Sequence, residues 1–279
     1  MCLIHWYLNM SCRVKWGTEM SREFSVPLGI KQGGINSPDF FGVYFDDLSK
    51  LLRQLEIGCH MFGLFLALLM FADDIVLMAP TRMALNKLIG TCSEYCTEFG
   101  LSFNSKKSKV MIFSKNRIDH DSFEPVTLNG IALEYTNSVT YLGTRIVNNK
   151  GLFFSCENDL IKFYRASNSI LNAVNKPSEE ILLQLLYSNC IPTLTYACAV
   201  KDYPARQMQN CNTAVNDALR LIFGYHRWES VRQLREFFGY KSPTDIFGRS
   251  RKKFHECLPY HSNSIISHIA RNLPDIVED

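Results

Sequence analysis

The sequence lacks a long apolar run, an amino-terminal secretory signal and any Cys-x-x-Cys pair. The apolar run at residues 61–72 is shorter than the roughly 20 residues that a membrane-spanning helix needs. The ten cysteines are scattered along the chain, which favours free thiols in a reducing compartment over disulfides. The sequence therefore predicts an intracellular protein, cytoplasmic or nuclear.

The chain also lacks a strong charge of one sign. It has 30 basic and 27 acidic residues, so composition neither requires nor excludes a nucleic-acid partner. Hydrophobic residues make up 47% of its 279 positions, which is enough for a folded core.

Two adjacent aspartates, Asp73 and Asp74, interrupt an otherwise apolar stretch. The flanking residues 64–71 and 75–79 have the composition of buried strands, which predicts a hairpin with the carboxylates at its turn. Carboxylates at the lip of a cleft bind divalent ions in metal-assisted phosphoryl transfer. The alternative is a solvated turn, because aspartate is a common turn residue.

A glycine-rich segment upstream of this pair leads into a predicted helix at residues 38–58. Its glycines allow a ligand to approach the backbone, and a lysine and an amide stand beside them: Gly29, Lys31, Gln32, Gly33 and Gly34. Ser37 and Pro38 predict an N-cap followed by proline in the first helical turn. The alternative is a simple glycine turn without a ligand.

Three other groups of polar residues favour structural roles. Asp46 and Asp47 flank the apolar stripe of the predicted helix, which indicates a solvated face. Cys92 and Cys96 share the apolar stripe of a second predicted helix, residues 81–99, and are expected in its core. The carboxy-terminal tail has possible zinc ligands without paired spacing, so incidental roles are favoured for His255, Cys257, His261 and His268.

The rest of the chain predicts an α+β half followed by a helical half, with the join near residues 147–152. Residues 101–113 predict a strand, a basic turn and a second strand that returns to the sheet of Asp73, where a lysine would meet a phosphate; a solvated turn is the alternative. Asn129-Gly130 predicts a hairpin, and residues 138–146 predict a strand pair. The predicted helices are residues 153–174, 179–190, 205–223 and 230–238.

Four blocks in this order resemble the reverse transcriptases of non-LTR (LINE-type) retrotransposons. They are a glycine block with Ser-Pro, a Phe-Ala-Asp-Asp block, a Leu-Ser-Phe-Asn block with Lys-Ser, and a Tyr-Leu-Gly block, at residues 29–38, 71–74, 101–108 and 141–143. Residues 194–196 and 216–224 resemble the helical region that follows the polymerase in this family. The likeness covers most of residues 1–240.

The resemblance implies an α+β fold built as a partial right-hand polymerase. Residues 1–150 would form part of the palm, an antiparallel sheet with packed helices, and residues 151–240 an all-helical thumb and post-polymerase region. Residues 241–279 would be a basic tail, whose order the sequence leaves open. The implied substrates are an RNA template, a DNA primer and deoxynucleotides, and the implied cofactor is magnesium.

The resemblance also implies a role for each matching residue. Asp73 would bind the catalytic metals, with Asp74 as its neighbouring carboxylate. The incoming nucleotide and the template would face Lys31, Gln32, Gly33, Gly34 and Phe71. Lys107 would act as a proton donor near the leaving pyrophosphate. The primer grip would consist of Tyr141, Leu142 and Gly143.

Two features depart from the family pattern. Phe71 stands where the family has tyrosine, so the ring is kept and only a hydroxyl is lost. The family's other aspartate block has no counterpart here, because the acidic residues upstream of Gly29 are Glu19 and Glu23. We therefore expect the C-terminal portion of such an enzyme, without the fingers and inactive by itself.

Two further functions stay open. In one, the helical region and the basic tail hold an RNA–DNA duplex without catalysis. In the other, Asp73 and Asp74 serve an unrelated metal-dependent phosphohydrolase, although the sequence has no spaced motif that supplies the remaining ligands.

Overall fold

The computed structural model describes residues 2–26, 29–31, 33–114, 124–172 and 177–273. The chain divides into two compact units, Met1–Ser102 (unit 1) and Phe103–Asp279 (unit 2). Both units contain helices and small, mostly antiparallel sheets, so the predicted α+β class is confirmed. No helix in the described ranges combines the length and the apolar character that crossing a bilayer requires.

Unit 1 consists of small antiparallel strand pairs and three described helices. The helices are α1 (Cys2–Leu8), α2 (Ser37–Gln54) and α3 (Arg82–Glu98). The strands are β1 (Ser11–Cys12), β2 (Lys15–Trp16), β3 (Glu19–Met20), β4 (Phe24–Ser25), β5 (His60–Met61), β6 (Leu64–Phe65), β7 (Leu68–Phe71) and β8 (Asp74–Leu77). They pair as β1–β4, β2–β3, β5–β6 and β7–β8.

The core of unit 1 is formed by α2 and α3. Its buried apolar side chains include Phe45, Leu48, Leu52, Leu88 and Ile89. Cys92 and Cys96 lie in the same buried stripe as predicted, and both are free thiols. The Tyr95 hydroxyl joins the two helices by donating a 2.5 Å hydrogen bond to the carbonyl of Tyr44.

Helix α3 begins and ends where the sequence predicts. The Thr81 hydroxyl accepts a 3.2 Å hydrogen bond from the Ala84 amide, which caps the amino terminus. Gly100 follows the helix with a φ of +67°, the left-handed conformation that glycine adopts without a steric penalty.

Unit 2 has short strands followed by helices. The strands are β9 (Lys109–Val110), β10 (Thr127–Leu128), β11 (Ile131–Ala132), β12 (Glu134–Tyr135), β13 (Ser138–Tyr141), β14 (Thr144–Asn148) and β15 (Leu152–Ser155). The helices are α4 (Glu157–Leu171), α5 (Glu179–Leu185), α6 (Ile191–Leu194), α7 (Ala205–Phe223), α8 (Arg232–Phe237), α9 (Pro243–Cys257) and α10 (Ser264–Asn272). A π-helical segment, Leu186–Cys190, joins α5 to α6 without a break.

The helical core of unit 2 is built from α4 to α9. Its buried apolar side chains include Phe163, Leu186, Leu194, Cys211, Val215 and Leu219. Helix α7 ends at Gly224 in the left-handed conformation, as predicted. The segment after Lys241 contains α9, which opens with a capping box between Ser242 and Asp245.

Two sequence expectations are wrong in unit 2. Strand β9 pairs in parallel with β12, so the basic turn does not return the chain to the sheet of Asp73. The buried Val110 and the ion pair between Lys109 and Glu134 stabilise this pairing of distant segments. Residues 152–155 extend the β13–β14 hairpin as β15, and α4 begins only at Glu157.

Candidate functional site

The Asp73–Asp74 pair lies at the tip of the β7–β8 hairpin, as the sequence predicts. Phe71 pairs with Asp74 across the two strands, and Ala72 and Asp73 form the two-residue turn between them. Both aspartates are exposed to solvent. Their carboxylates are therefore accessible to a ligand.

Backbone contacts anchor the root of this hairpin. The Met78 amide donates a 2.8 Å hydrogen bond to the Ala67 carbonyl, and the Cys59 amide donates a 3.1 Å bond to the Met78 carbonyl. Gly58 permits the close approach, because its φ is +120° and an added Cβ would lie 2.2 Å from the Cβ of Ala67. The aspartates thus stand on a root whose geometry is fixed by the segment that follows α2.

The strands of the hairpin are half-buried, whereas the sequence predicted buried strands. Leu69 and Phe71 are 44% and 63% exposed, and their inward-pointing neighbours Leu68 and Met70 are only partly covered. The hairpin is a two-stranded ribbon within the described part of unit 1, so no further strand pairs along its edges. The apolar composition of the two strands therefore did not indicate how far they are exposed.

The hairpin supplies part of a metal site. Carboxylate oxygens are the ligands that Mg²⁺ prefers, and Asp73 and Asp74 provide two such side chains. Among the residues that the structure describes, no three His, Cys, Asp or Glu side chains come together in a group that would hold a metal ion. The donor chemistry fits magnesium, but a third protein ligand is not supplied there.

Asp46 and Asp47 lie on the exposed face of α2, as expected. The Lys50 ammonium is 2.7 Å from the Asp46 carboxylate and 2.9 Å from that of Asp47. Hydrogen bonds from Lys50 to both carboxylates raise its pKa. Both carboxylates are thus bound to Lys50 on the surface of the helix, as a solvated helix face predicts.

The glycine loop is held by its own backbone. The Gly34 amide donates a 3.1 Å hydrogen bond to the Lys31 carbonyl, and the Ser37 hydroxyl donates a 2.7 Å bond to the same oxygen. An added Cβ at Gly34 would lie 2.6 Å from the Ser37 hydroxyl, whereas Gly33, with a φ of +80°, has open space around it. Gln32, the predicted template-binding amide, lies outside the described residues.

Ser37 does not act as the predicted N-cap. It is the first residue of α2, and Asn36 occupies the cap position without a side-chain cap bond. The hydroxyl of Ser37 is used instead to close the glycine loop on Lys31. The sequence pattern predicted the start of the helix correctly but assigned the hydroxyl to the wrong partner.

Lys107 lies in an exposed turn whose shape is set by Asn104. The Asn104 side-chain oxygen accepts hydrogen bonds from the amides of Lys106 and Lys107, at 3.1 and 3.2 Å. The Ser108 hydroxyl donates a 3.0 Å bond to the Asn104 carbonyl. This local arrangement gives Lys107 a defined position on unit 2 with its side chain in solvent.

The Tyr141–Leu142–Gly143 block forms the tight turn between β13 and β14. Leu142 and Gly143 have φ values of +46° and +74°, as a two-residue hairpin turn with both central residues left-handed requires. The Tyr196 hydroxyl donates a 3.1 Å hydrogen bond to the Leu142 carbonyl. This contact joins residues 54 positions apart, and no local sequence signal indicates it.

Unit 2 also contains a buried charged cluster that the sequence patterns did not predict. The Lys201 ammonium is 2.6 Å from Asp159, and the Tyr203 hydroxyl donates a 2.7 Å hydrogen bond to the same carboxylate oxygen. Burial and the bond to Asp159 raise the pKa of Tyr203 far above its ordinary value. The local sequence provides little signal for it, because Asp159 and Lys201 stand among other polar residues, Glu157, Asn158, Lys162 and Asp202.

The predicted site residues are therefore divided between the two units. Unit 1 contains the glycine loop and the Asp hairpin, with Lys31, Gly33, Gly34, Phe71, Asp73 and Asp74. Unit 2 contains Lys107 and the Tyr141–Leu142–Gly143 turn.

Comparisons with known proteins bear directly on these blocks. The pattern of the family "Reverse transcriptase (RNA-dependent DNA polymerase)" matches residues 2–146, just over half of the chain. This segment includes the glycine loop, the Asp hairpin and the turn at Leu142.

Three retrotransposon proteins are similar in sequence. The retrovirus-related Pol polyprotein from the type-2 retrotransposable element R2DM of Drosophila melanogaster is 37% identical over 87 residues, 31% of this chain and 8% of its own. The probable RNA-directed DNA polymerase from transposon X-element of the same species is 21% identical over 272 residues, 94% of this chain and 29% of its own. The retrovirus-related Pol polyprotein from the type-1 retrotransposable element R2 of Popillia japonica is 22% identical over 212 residues, which cover 74% of this chain and 29% of its own.

This chain thus spans less than a third of the length of each of these relatives. The matching family segment carries the same residue blocks that the sequence singled out, in the same order. The chain belongs to the reverse transcriptase (RNA-dependent DNA polymerase) family, and its resemblance to the reverse transcriptases of non-LTR retrotransposons is confirmed.

Proposed function

We propose that this chain is the palm and thumb portion of a retrotransposon RNA-directed DNA polymerase that copies an RNA template from a DNA primer. The observation that carries the proposal is the Asp73–Asp74 pair. It occupies the tip of a hairpin inside the family-matching segment, with both carboxylates in solvent and the hairpin root fixed by Gly58 and Ala67. A rigid support is what a metal-binding carboxylate needs.

The residues of unit 1 would handle the nucleotide and the metal. Asp73 and Asp74 would hold magnesium, which lowers the pKa of a primer 3′-hydroxyl and stabilises charge at the reacting phosphorus. Gln32, Gly33 and Gly34 would face the incoming nucleotide and the template, and the open space around Gly33 supports a close backbone approach there. The exposed Phe71 ring, beside Asp74, would pack against the same substrates.

The residues of unit 2 would handle the pyrophosphate and the primer. Lys107, on its Asn104-stabilised turn, would donate a proton to the leaving pyrophosphate. The turn formed by Tyr141, Leu142 and Gly143 would grip the primer strand, and its exposed backbone supports this role.

We further propose that the 279-residue chain does not polymerise by itself. Two-metal catalysis needs a carboxylate that both ions share, and the acidic block that the family carries before the glycine loop has no counterpart in residues 1–28. Without that ligand, the two aspartates of the hairpin would bind magnesium too weakly and in the wrong geometry for in-line displacement.

Primer extension tests both parts of the proposal. The purified chain is incubated with magnesium, deoxynucleotides and a DNA primer annealed to an RNA template, alongside Asp73→Asn and the control Asp46→Asn. Asp46 is a matched control because it is also exposed but lies in the ion pair with Lys50. Magnesium-dependent extension that only Asp73→Asn abolishes would support the polymerase function and refute the proposed inactivity.

A second candidate is a nucleic-acid-binding protein without catalysis. The absence of a third metal ligand among the described residues favours it. Binding of the RNA–DNA duplex that weakens steeply with salt, with no extension in the same samples, would be the expected result. Absence of both binding and extension would count against the polymerase and the binding function together.

A further inference from the structure

Tyr196 is packed against the turn that the proposed function assigns to the primer. Its hydroxyl donates a 3.1 Å hydrogen bond to the carbonyl of Leu142. Its ring lies directly beside Gly143, where an added Cβ would come within 3.2 Å of the ring atom Cε1. One side chain therefore contacts both central residues of the turn.

The backbone of this turn is strained at Leu142. Leu142 adopts a φ of +46°, and the left-handed conformation is unfavourable for a residue with a branched side chain. Such strain persists only where surrounding structure over-determines the backbone, and it clusters at functional sites. The bond from Tyr196 fixes the orientation of the Leu142 carbonyl, in a residue that is 36% exposed at the end of the hairpin.

Tyr196 is in turn held by the buried charged cluster. The Lys201 ammonium lies 5.5 Å from the centre of the Tyr196 ring, on a side chain that is completely buried. Asp159 fixes that ammonium at 2.6 Å and also accepts the hydroxyl of Tyr203. One face of the ring thus lies beside an ammonium that is buried and held in an ion pair.

The segment that carries Tyr196 is itself a tight bend. Ala197 has a φ of +53°, and its carbonyl accepts hydrogen bonds from the amides of Val200 and Lys201 at 3.1 and 3.2 Å. Arg251 donates a 2.8 Å bond to the Lys201 carbonyl from α9. Tyr196 nevertheless remains 51% exposed. Its hydroxyl therefore contacts the turn and is not part of the buried core.

We propose that Tyr196 is a positioning residue that holds the Leu142–Gly143 backbone in the shape that contacts the primer strand of an RNA–DNA duplex. The inference rests on the proposed function, because that function assigns the turn to the primer. It adds that recognition of the primer depends on the bend that follows α6, through the hydroxyl and the ring of Tyr196. The Asp159–Lys201 ion pair then affects the Leu142–Gly143 turn indirectly, through its contact with the Tyr196 ring.

Two variants of the full chain test this inference. Tyr196→Phe removes the hydroxyl and keeps the ring. Gly143→Ala adds a methyl group that would shift the ring by a few tenths of an ångström, at a φ of +74° that disfavours a side chain. Tyr260→Phe is the matched control, since Tyr260 is 85% exposed in the same unit. Fluorescence anisotropy measures the Kd for a labelled DNA primer annealed to an RNA template and, separately, for the RNA template alone.

Each of the two variants should weaken duplex binding about fivefold, the effect expected of one lost hydrogen bond. Binding to the RNA alone should stay at the value of the unsubstituted chain, and both variants should keep its circular dichroism spectrum. The melting temperature should fall in Gly143→Ala, because a φ of +74° disfavours a side chain. The double variant should lose no more than the weaker-binding single variant, because both changes act on one contact. Tyr260→Phe should bind both ligands normally.

Three results would overturn the inference, and they are distinguishable. If the unsubstituted chain prefers the duplex and Tyr196→Phe binds it equally well, the proposed function stands and Tyr196 has no positioning role. If Tyr196→Phe weakens duplex and RNA binding alike, its effect is a general structural one. If the unsubstituted chain shows no preference for the duplex, the primer-gripping function itself fails.

Discussion

The ammonium of Lys201 and the carboxylate of Asp159 form an ion pair of 2.6 Å in which the side chains are only 0% and 3% exposed. Removing one partner of a buried pair leaves the other charge without compensation. Lys201→Met should therefore lower the free energy of unfolding by about 3–5 kcal/mol. Lys201→Met combined with Asp159→Asn should regain most of this loss, because asparagine is uncharged and still accepts the Tyr203 hydrogen bond.

Urea unfolding followed by circular dichroism measures these differences. Arg232 and Glu236 provide the control, since they form a 2.8 Å ion pair with side chains that are 79% and 62% exposed. Arg232→Ala should cost less than about 1 kcal/mol. Equal losses from Lys201→Met and Arg232→Ala would show that the buried pair has no special energetic role.

The thiol of Cys92 provides a prediction about pH. Burial, and to a lesser degree the neighbouring Cys96, raise the pKa of Cys92 from 9.0 to about 12. Because the folded pKa is the higher one, the stabilisation is complete below pH 9 and is lost as the pH rises toward 12. Cys92→Ala should be about 1 kcal/mol less stable than the unsubstituted chain at pH 8. Between pH 9 and pH 11 the unsubstituted chain should lose about 1.4 kcal/mol of stability per pH unit, so the order of the two stabilities should reverse by pH 11.

Alkylation gives an independent measurement on the same thiol. Iodoacetamide at pH 8 should label the exposed Cys12 and Cys257 rapidly, and Cys92 only when the fold opens. Peptide mass spectrometry separates the sites. Labelling of Cys92 at the rate of Cys12, or a gap in stability that does not change with pH, would contradict the burial of this thiol.

Local signals in the sequence were sufficient to predict much of the fold. Thr81 and Gly100 marked the ends of α3, Gly224 ended α7, and Asn129-Gly130 formed the expected hairpin between β10 and β11. The Asp73–Asp74 turn also lies where the pattern of apolar and acidic residues predicted. Each of these features depends on neighbours within a few positions, and such rules can be read from one sequence.

Non-local contacts were not predictable in the same way. The parallel pairing of β9 with β12 joins Lys109 to Glu134, and nothing in either dipeptide indicates the other. The burial of Lys201 depends on a carboxylate 42 residues away. The contact of Tyr196 with Leu142 likewise depends on how the segments of unit 2 pack. The sequence could therefore name candidate site residues but not the contacts that support them.

The turn that carries Asp73 contains a strained residue. Ala72 has a φ of +51°, which lies in the left-handed region. This conformation costs a residue with a side chain about 1–2 kcal/mol of folding free energy, and glycine adopts it without that steric penalty. Glycine loses more entropy on folding, about 0.5–1 kcal/mol, so Ala72→Gly should stabilise the chain by about 0.5 kcal/mol on balance. Ala72→Val should destabilise it by about 1–2 kcal/mol, because a β-branched side chain is the least tolerant of this conformation.

Ala84 is the matched control for this last comparison. It lies in the first turn of α3 in the same unit, with an ordinary negative φ, so Ala84→Gly should destabilise the chain by about 0.5–1 kcal/mol. In urea unfolding, alanine-to-glycine substitution should thus raise the free energy of unfolding at position 72 and lower it at position 84. If Ala72→Gly were as destabilising as Ala84→Gly, the left-handed conformation of Ala72 would store no strain in the turn beside Asp73.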